Sequence, residues 1–287
     1  MTSTLPTDLP ADSEPAVRVT IGRTFVAMLS REVRVLRKNF VATFVRVLLQ
    51  PLLFVFVFAY VLPKVGGGAM SGGAGGGGGT TFSTVLVPGL VGSSIFMQGI
   101  MAIVFPLMME LNWQRSITDR ALAPLPIPLL AIEKIAAGGL QALIAGLLVF
   151  PCVLFVHAGG QGPDVHVSNW PLLIFVCVFG SLLSASAGLL LGTVIDPQRA
   201  QMLFGIILMP LSMLGCVYYP WAALEHVRWL QIVSLANPMV FLNEGLRAAL
   251  TPNVEHMHFW VYGTVILVGT VLLTWLAARK FTQRVLT

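Results

Sequence analysis

Long apolar runs recur along this chain at about residues 41–62, 82–108, 129–156, 170–195, 201–217 and 259–278, with most of the charge confined to the stretches between them. About 20 apolar residues in a helix cover the roughly 30 Å of a bilayer's hydrocarbon core, because each residue advances about 1.5 Å. With 56% of 287 residues hydrophobic and 10% charged, a soluble core could not hide this much apolar surface. Hydrocarbon offers no partner to a backbone N–H or C=O, so each run is expected to satisfy its own as a helix. The predicted fold is an all-α integral membrane protein with six transmembrane helices.

The distribution of basic residues orients it. An even number of spans puts both termini on one side, and every Lys and Arg except Lys64, Arg228 and Arg247 falls on that side. The positive-inside rule then predicts a multi-pass protein of the cell membrane with both termini in the cytoplasm. The net charge of +5 reports this orientation and not affinity for nucleic acid. Cys152, Cys177 and Cys216 lie in separate apolar runs, which suggests neither a disulfide framework nor a metal site.

Residues 1–16 carry Pro, Ser, Thr and acids without periodicity and are expected to be a disordered cytoplasmic tail; no cleavable signal peptide is evident. Residues 17–40 place Ile21, Phe25, Met28, Leu29, Val33, Leu36 and Phe40 on one helical face and Arg23, Arg31, Arg34, Arg37 and Lys38 on the other. Such a pattern predicts an amphipathic helix in the membrane interface, the alternative being a basic juxtamembrane stretch that touches only lipid headgroups. The glycine-rich run 66–79 lacks the Lys-Ser or Lys-Thr and the preceding strand of a phosphate cradle, so it reads as a flexible linker.

Two further stretches depart from the pattern of plain spans. Between Glu110 and Lys134, Asn112, Gln114, Arg115, Ser116, Thr118, Asp119 and Arg120 form a compact polar segment closed by Pro124, Pro126 and Pro128. It reads as a short surface helix or as an ordinary connecting loop. Residues 220–250 are amphipathic, with Pro220 and Pro238 suited to helix starts, and predict two short helices dipping part way into the outer leaflet. Glu244 and Arg247, three apart, can pair on one helical face. The basic end of the chain, 281–287, is expected to be a cytoplasmic tail.

Several function classes are disfavoured. Apart from Arg46 and the end-of-span pair Glu133 and Lys134, the predicted spans hold no acid or base, whereas ion-coupled carriers keep such groups at mid-membrane. None of the five histidines forms an HExxH pattern, and His256, His258 and Glu255 fall in a predicted solvated loop. No GxSxG elbow or carboxylate pair marks a hydrolase, which leaves an intramembrane enzyme as a remote reading.

The order of basic amphipathic helix, six spans, the segment FPLMMELNWQRSITDRALAPLPIPLLAIEKIAAGG after span two, and the late YYPWAALEHVRWLQIVSLANPMVFLNEGLRAAL resembles the type two ATP-binding-cassette (ABC) export permeases. Drug-resistance, O-antigen, teichoic-acid and nodulation-factor exporters belong to that family. The likeness covers about residues 17–280, and its most specific part is Pro220, Trp221, Leu224, Asn237, Pro238, Glu244, Leu246 and Arg247.

The resemblance implies a non-enzymatic membrane subunit that dimerises, as a homodimer or heterodimer, and pairs with a separate ABC ATPase, where ATP and Mg are bound. This chain itself is then expected to hold no cofactor. A cytoplasmic coupling helix would match about 112–122, with Asn112, Trp113, Gln114, Arg115, Asp119, Arg120 and Leu122 contacting the ATPase and Arg31, Arg34 and Arg37 of the N-terminal helix completing that contact. The region around Pro220, Trp221, Asn237, Pro238, Glu244 and Arg247 would form extracellular re-entrant helices that cap the exit. The expected cargo is an amphipathic, lipid-like or drug-like molecule, since the spans are aliphatic and poor in Tyr and Trp; lipid-linked polysaccharide is the alternative. A non-transporting membrane scaffold is the reading from another class.

Overall fold

The computed structural model describes residues 82–112, 127–155, 163–196 and 203–286, together with 56–61 and the positions 22, 30, 31, 34, 45, 48, 49, 52 and 53. The described residues are helices and connecting turns, without strands. Four helices are long and apolar enough to cross a membrane. They are α1 (Phe82–Asn112), α2 (Ile127–Phe155), α3 (Trp170–Val194) and α7 (Phe259–Leu286). Between α3 and α7 lie the short helices α4 (Met209–Met213), α5 (Arg228–Ser234) and α6 (Pro238–Leu250). Half of the predicted first span and all of the tail 1–16 lie outside the described residues, but Leu48 is buried in the same core as α1.

Small residues fix how the long helices meet. A Cβ on Gly188 of α3 would sit 2.8 Å from the Ile100 Cα of α1, and one on Gly99 would overlap the Ser184 hydroxyl of α3. Apolar tails and apolar side chains are equivalent in lipid, so close backbone approach of this kind is what gives helices a preferred partner. Gly138 and Gly146 of α2 receive Ile103 and Ile95 of α1 in the same way, in the reverse order. Along α7, Thr270 Oγ1 donates to Phe179 O (3.1 Å) and the Ser186 and Thr274 hydroxyls pair at 2.8 Å. These contacts make α1, α3 and α7 parallel and α2 antiparallel to them.

That geometry requires a return crossing between α3 and α7. Asp196, after α3, meets Arg284 at the far end of α7, whereas Val217 packs on Gly89 near the start of α1. The described part of the return, within the predicted span 201–217, is a π-helical turn Leu203–Leu208 followed by α4. Pro210 has no N–H and crowds the turn before it, which a widened π turn accommodates. The helix stops at Met213 and not at 217, because residues 214–220 turn back towards α6.

Three boundaries differ from the expectation for a physical reason. α1 continues past Pro106 to Asn112, so that Asn112 closes the span instead of opening a separate helix; Leu107 and Met108 are buried and Glu110 is paired. α7 runs to Leu286 through the predicted tail, since Phe281 is fully buried in a cluster that joins it to residues of α1, α2 and α3, and Arg284 donates to Thr193 O. The stretch 220–250 holds three short helices: a 3-10 turn Trp221–His226, α5 and α6.

Candidate functional site

α6 begins where the proline predicts. Asn237 is its N-cap, its side chain accepting from Met239 N at 3.0 Å, and Pro238 occupies the first turn, where no N–H is needed. Pro220 plays the same part for the turn Trp221–His226. The amphipathic helix expected to dip part way into the outer leaflet is, as α6, buried on every face from Met239 to Leu250, enclosed by α1, α3, α7 and the 211–221 segment. Its far end is closed by an extended stretch: His166 N and Ser168 N donate to Leu250 O and Ala249 O, both at 3.1 Å, satisfying carbonyls a helix end leaves free.

Burying this helix means burying two charges, and they neutralise each other. Arg247 Nη1 donates to Glu244 Oε1 at 2.7 Å, with both side chains at 0% exposure. The remaining capacity of each group holds a different part of the chain. Glu244 Oε1 also accepts from Trp221 N (2.9 Å) and Oε2 from Met257 N (3.1 Å). Arg247 Nη2 donates to Cys216 O (2.6 Å) and Val217 O (3.3 Å), and Asn243 Nδ2 donates to Gly215 O (2.6 Å). Asn237 Nδ2 reaches Leu211 O (2.6 Å), and Trp221 Nε1 reaches Gln231 O (3.2 Å). A buried ion pair is stable only when such hydrogen bonds replace lost hydration. Here the pair ties 216–217, 221 and 257 to one helix, and Asn243 adds 215.

All six residues assigned to the exit cap, Pro220, Trp221, Asn237, Pro238, Glu244 and Arg247, are thus brought into one unit. Sequence reasoning missed Asn243, fully buried one position before Glu244, and Cys216, whose φ of 52° is the left-handed region. The signal for Asn243 was present: it stands four residues before Arg247, on the same face as the pair. Nothing local marked Cys216.

The candidates for ATPase coupling fare differently. Arg31 and Arg34 lie in helical backbone with exposed side chains. Arg37, Trp113, Gln114, Arg115, Asp119, Arg120 and Leu122 lie outside the described residues, as does the side chain of Asn112. At the borders of that segment, Lys134 Nζ of α2 meets Glu110 Oε2 of α1 at 2.7 Å. Of the histidine candidates, His256 directs Nδ1 to its neighbour Val254 O at 2.9 Å. Among the described residues no three His, Cys, Asp or Glu side chains gather as a metal site.

The sequence pattern of the ABC-2 type transporter family matches residues 23–251, which include all six of Pro220, Trp221, Asn237, Pro238, Glu244 and Arg247. The chain belongs to the ABC-2 type transporter family. Its similarity to individual members is lower: it is 27% identical over 168 residues to the inner membrane transport permease YadH of Escherichia coli (strain K12), and to the same extent to YadH of Shigella flexneri. The matched region is 58% of this chain and spans only 62% of the length of those relatives. ABC-2 membership and the apolar helices make this a multi-pass membrane protein of a transporter class whose membrane subunits are generally non-catalytic.

Proposed function

We propose that the chain is the permease subunit of an ATP-driven exporter that carries an amphipathic, lipid-like or drug-like molecule out of the cytoplasm or the inner leaflet. ATP and Mg are bound by a separate ABC ATPase, and two permease copies enclose the path in the cell membrane. The observation that carries this reading is the match to the ABC-2 type transporter family across residues 23–251. Electrostatics supports it. In the four long helices the acidic and basic side chains Glu110, Glu133, Lys134, Arg279, Lys280 and Arg284 gather towards one end, and the buried Glu244–Arg247 pair is taken up in holding the cap together. With no acid or base at mid-membrane in these four helices, work delivered from outside them is favoured over ion coupling.

In this reading the end of the bundle carrying Glu110, Lys134 and Arg284 is cytoplasmic, and 112–122 docks on the ATPase. Arg115, Asp119 and Arg120 supply polar contacts there, with Trp113 and Leu122 as apolar anchors, while Arg31, Arg34 and Arg37 complete the contact. Closure of the ATPase then reaches α1 and α2 as a rigid-body shift, and α6 with its tethered segments caps the opposite end, the exit.

The test is reconstitution with an ABC ATPase that co-purifies with the chain. Nucleotide-dependent movement of a fluorescent phospholipid or lipophilic dye, with ATP hydrolysis stimulated by that cargo, is expected. Stimulation by a polyprenyl-linked glycan instead would assign the cargo to polysaccharide. Stable binding of the ATPase without stimulation or flux would favour a scaffold.

A further inference from the structure

The cap is seated on α1 through two glycines on one face of that helix. A Cβ on Gly89 would overlap the Val217 carbonyl oxygen, and one on Gly92 would overlap Asn243 Oδ1. The atom that enters at Gly92 gains no donor there: Asn243 Oδ1 is buried and unpartnered, as is Nε of Arg247 one turn further on. A buried polar atom without a partner destabilises the state that buries it, and hydration removes that cost. Between the two contact points, Cys216 holds a left-handed backbone that a residue with a Cβ disfavours, kept there by Arg247 Nη2 on its carbonyl. Close packing thus holds the seat against the burial of Asn243 Oδ1 without a partner, which unseating would relieve by hydration.

We propose that the Gly89–Gly92 notch is the latch of the exit cap: Val217 O and Asn243 Oδ1 occupy it when the cap is shut and withdraw into water when it opens. The hydrogen bonds from Asn243 to Gly215 and from Arg247 to Cys216 and Val217 make α6 and residues 215–217 leave together. Gly92 and Asn243 are positioning residues, and their fit sets how far the shut state is favoured. The inference rests on α6 being an exit cap, but its test needs neither cargo nor ATPase.

Cys216, at 0% exposure, is a built-in reporter. In purified protein in lipid nanodiscs, with Cys152→Ser and Cys177→Ser in the background, the rate of modification by a hydrophilic maleimide reads how often the cap is unseated. Gly92→Ala is expected to raise that rate about tenfold, the change produced by about 1.4 kcal/mol of lost closed-state preference. Adding Asn243→Ala makes room for the new methyl at the expense of the Gly215 hydrogen bond, and should bring the rate below that of Gly92→Ala and level with that of Asn243→Ala alone. If Gly92→Ala does not accumulate, Gly89→Ala takes its place with the same expected acceleration, without the compensating change. The proposal falls if the parent reacts as fast as an exposed thiol, if the glycine variant that accumulates reacts at the parent rate, if the double variant stays as fast as Gly92→Ala, or if neither glycine variant accumulates. None of these outcomes bears on ATP-driven flux, so the transporter reading stands or falls separately.

Discussion

Lys134 Nζ lies 2.7 Å from Glu110 Oε2, so the two residues that bound the polar stretch between α1 and α2 are bonded to each other across those helices. The pair is largely shielded, with side chains 12% and 16% exposed. It fixes the separation of α1 and α2 where the chain leaves and re-enters the bundle, which is where a push from the ATPase would arrive.

Glu110→Ala or Lys134→Met is expected to lower stability by about 1–2 kcal/mol, more than a fully exposed pair would, and to reduce transport per ATP hydrolysed. The reversed pair, Glu110→Lys with Lys134→Glu, should recover much of both. Thermal unfolding and the flux-to-hydrolysis ratio check this. Equal loss in the single and double variants would mean that the pair is incidental.

Breaking the buried pair in the cap costs more. Arg247→Met leaves the Glu244 carboxylate buried with two backbone donors and no cation, and a loss of about 3–5 kcal/mol is expected. Glu244→Gln also strands the guanidinium but keeps an acceptor for one of those N–H groups, so it should be the milder change. Melting curves of the purified variants in detergent order the two.

Close helix contact at Gly188 predicts a sharp contrast with Gly205. A methyl at Gly188 meets the Ile100 backbone, which cannot swing aside, whereas around Gly205 nothing lies within 4 Å. Gly188→Ala should destabilise by about 1–3 kcal/mol. Gly205→Ala should be neutral or slightly stabilising, because alanine restricts the unfolded chain. Protein yield and melting temperature compare them.

If 112–122 docks on the ATPase as proposed, Arg115→Ala and Arg120→Ala are expected to weaken that association by about tenfold each, the loss of roughly 1.4 kcal/mol per polar anchor, without lowering the melting temperature of the permease alone. Co-purification yield and nucleotide-driven flux measure the effect. Unchanged association in both would place the docking surface elsewhere.

Much of the fold was legible because its causes are short-range. Runs of apolar residues long enough to cross a bilayer announce helices wherever they pack, and four such runs are helices here. Asn237 followed by Pro238 announces a helix start through a side-chain acceptor and a missing N–H, both local. The Glu244–Arg247 pair was legible for the same reason, since three residues of helix bring the two groups together. The family pattern covering Pro220 to Arg247 could likewise be read from residue order.

The amino-acid order alone therefore determined a helical membrane protein of this transporter family and the Glu244–Arg247 pair at the centre of its buried polar cluster. Only tertiary structure decided that α6 is buried on all sides, that α7 is held in the core as far as Phe281, that Glu110 meets Lys134, and that Asn243 meets Gly92. Apolar side chains are nearly interchangeable as signals of burial, so they do not say which face of one helix meets which face of another. That choice belongs to the glycine notches and to the few polar groups that must find partners far along the chain, and it exists only once the helices have packed.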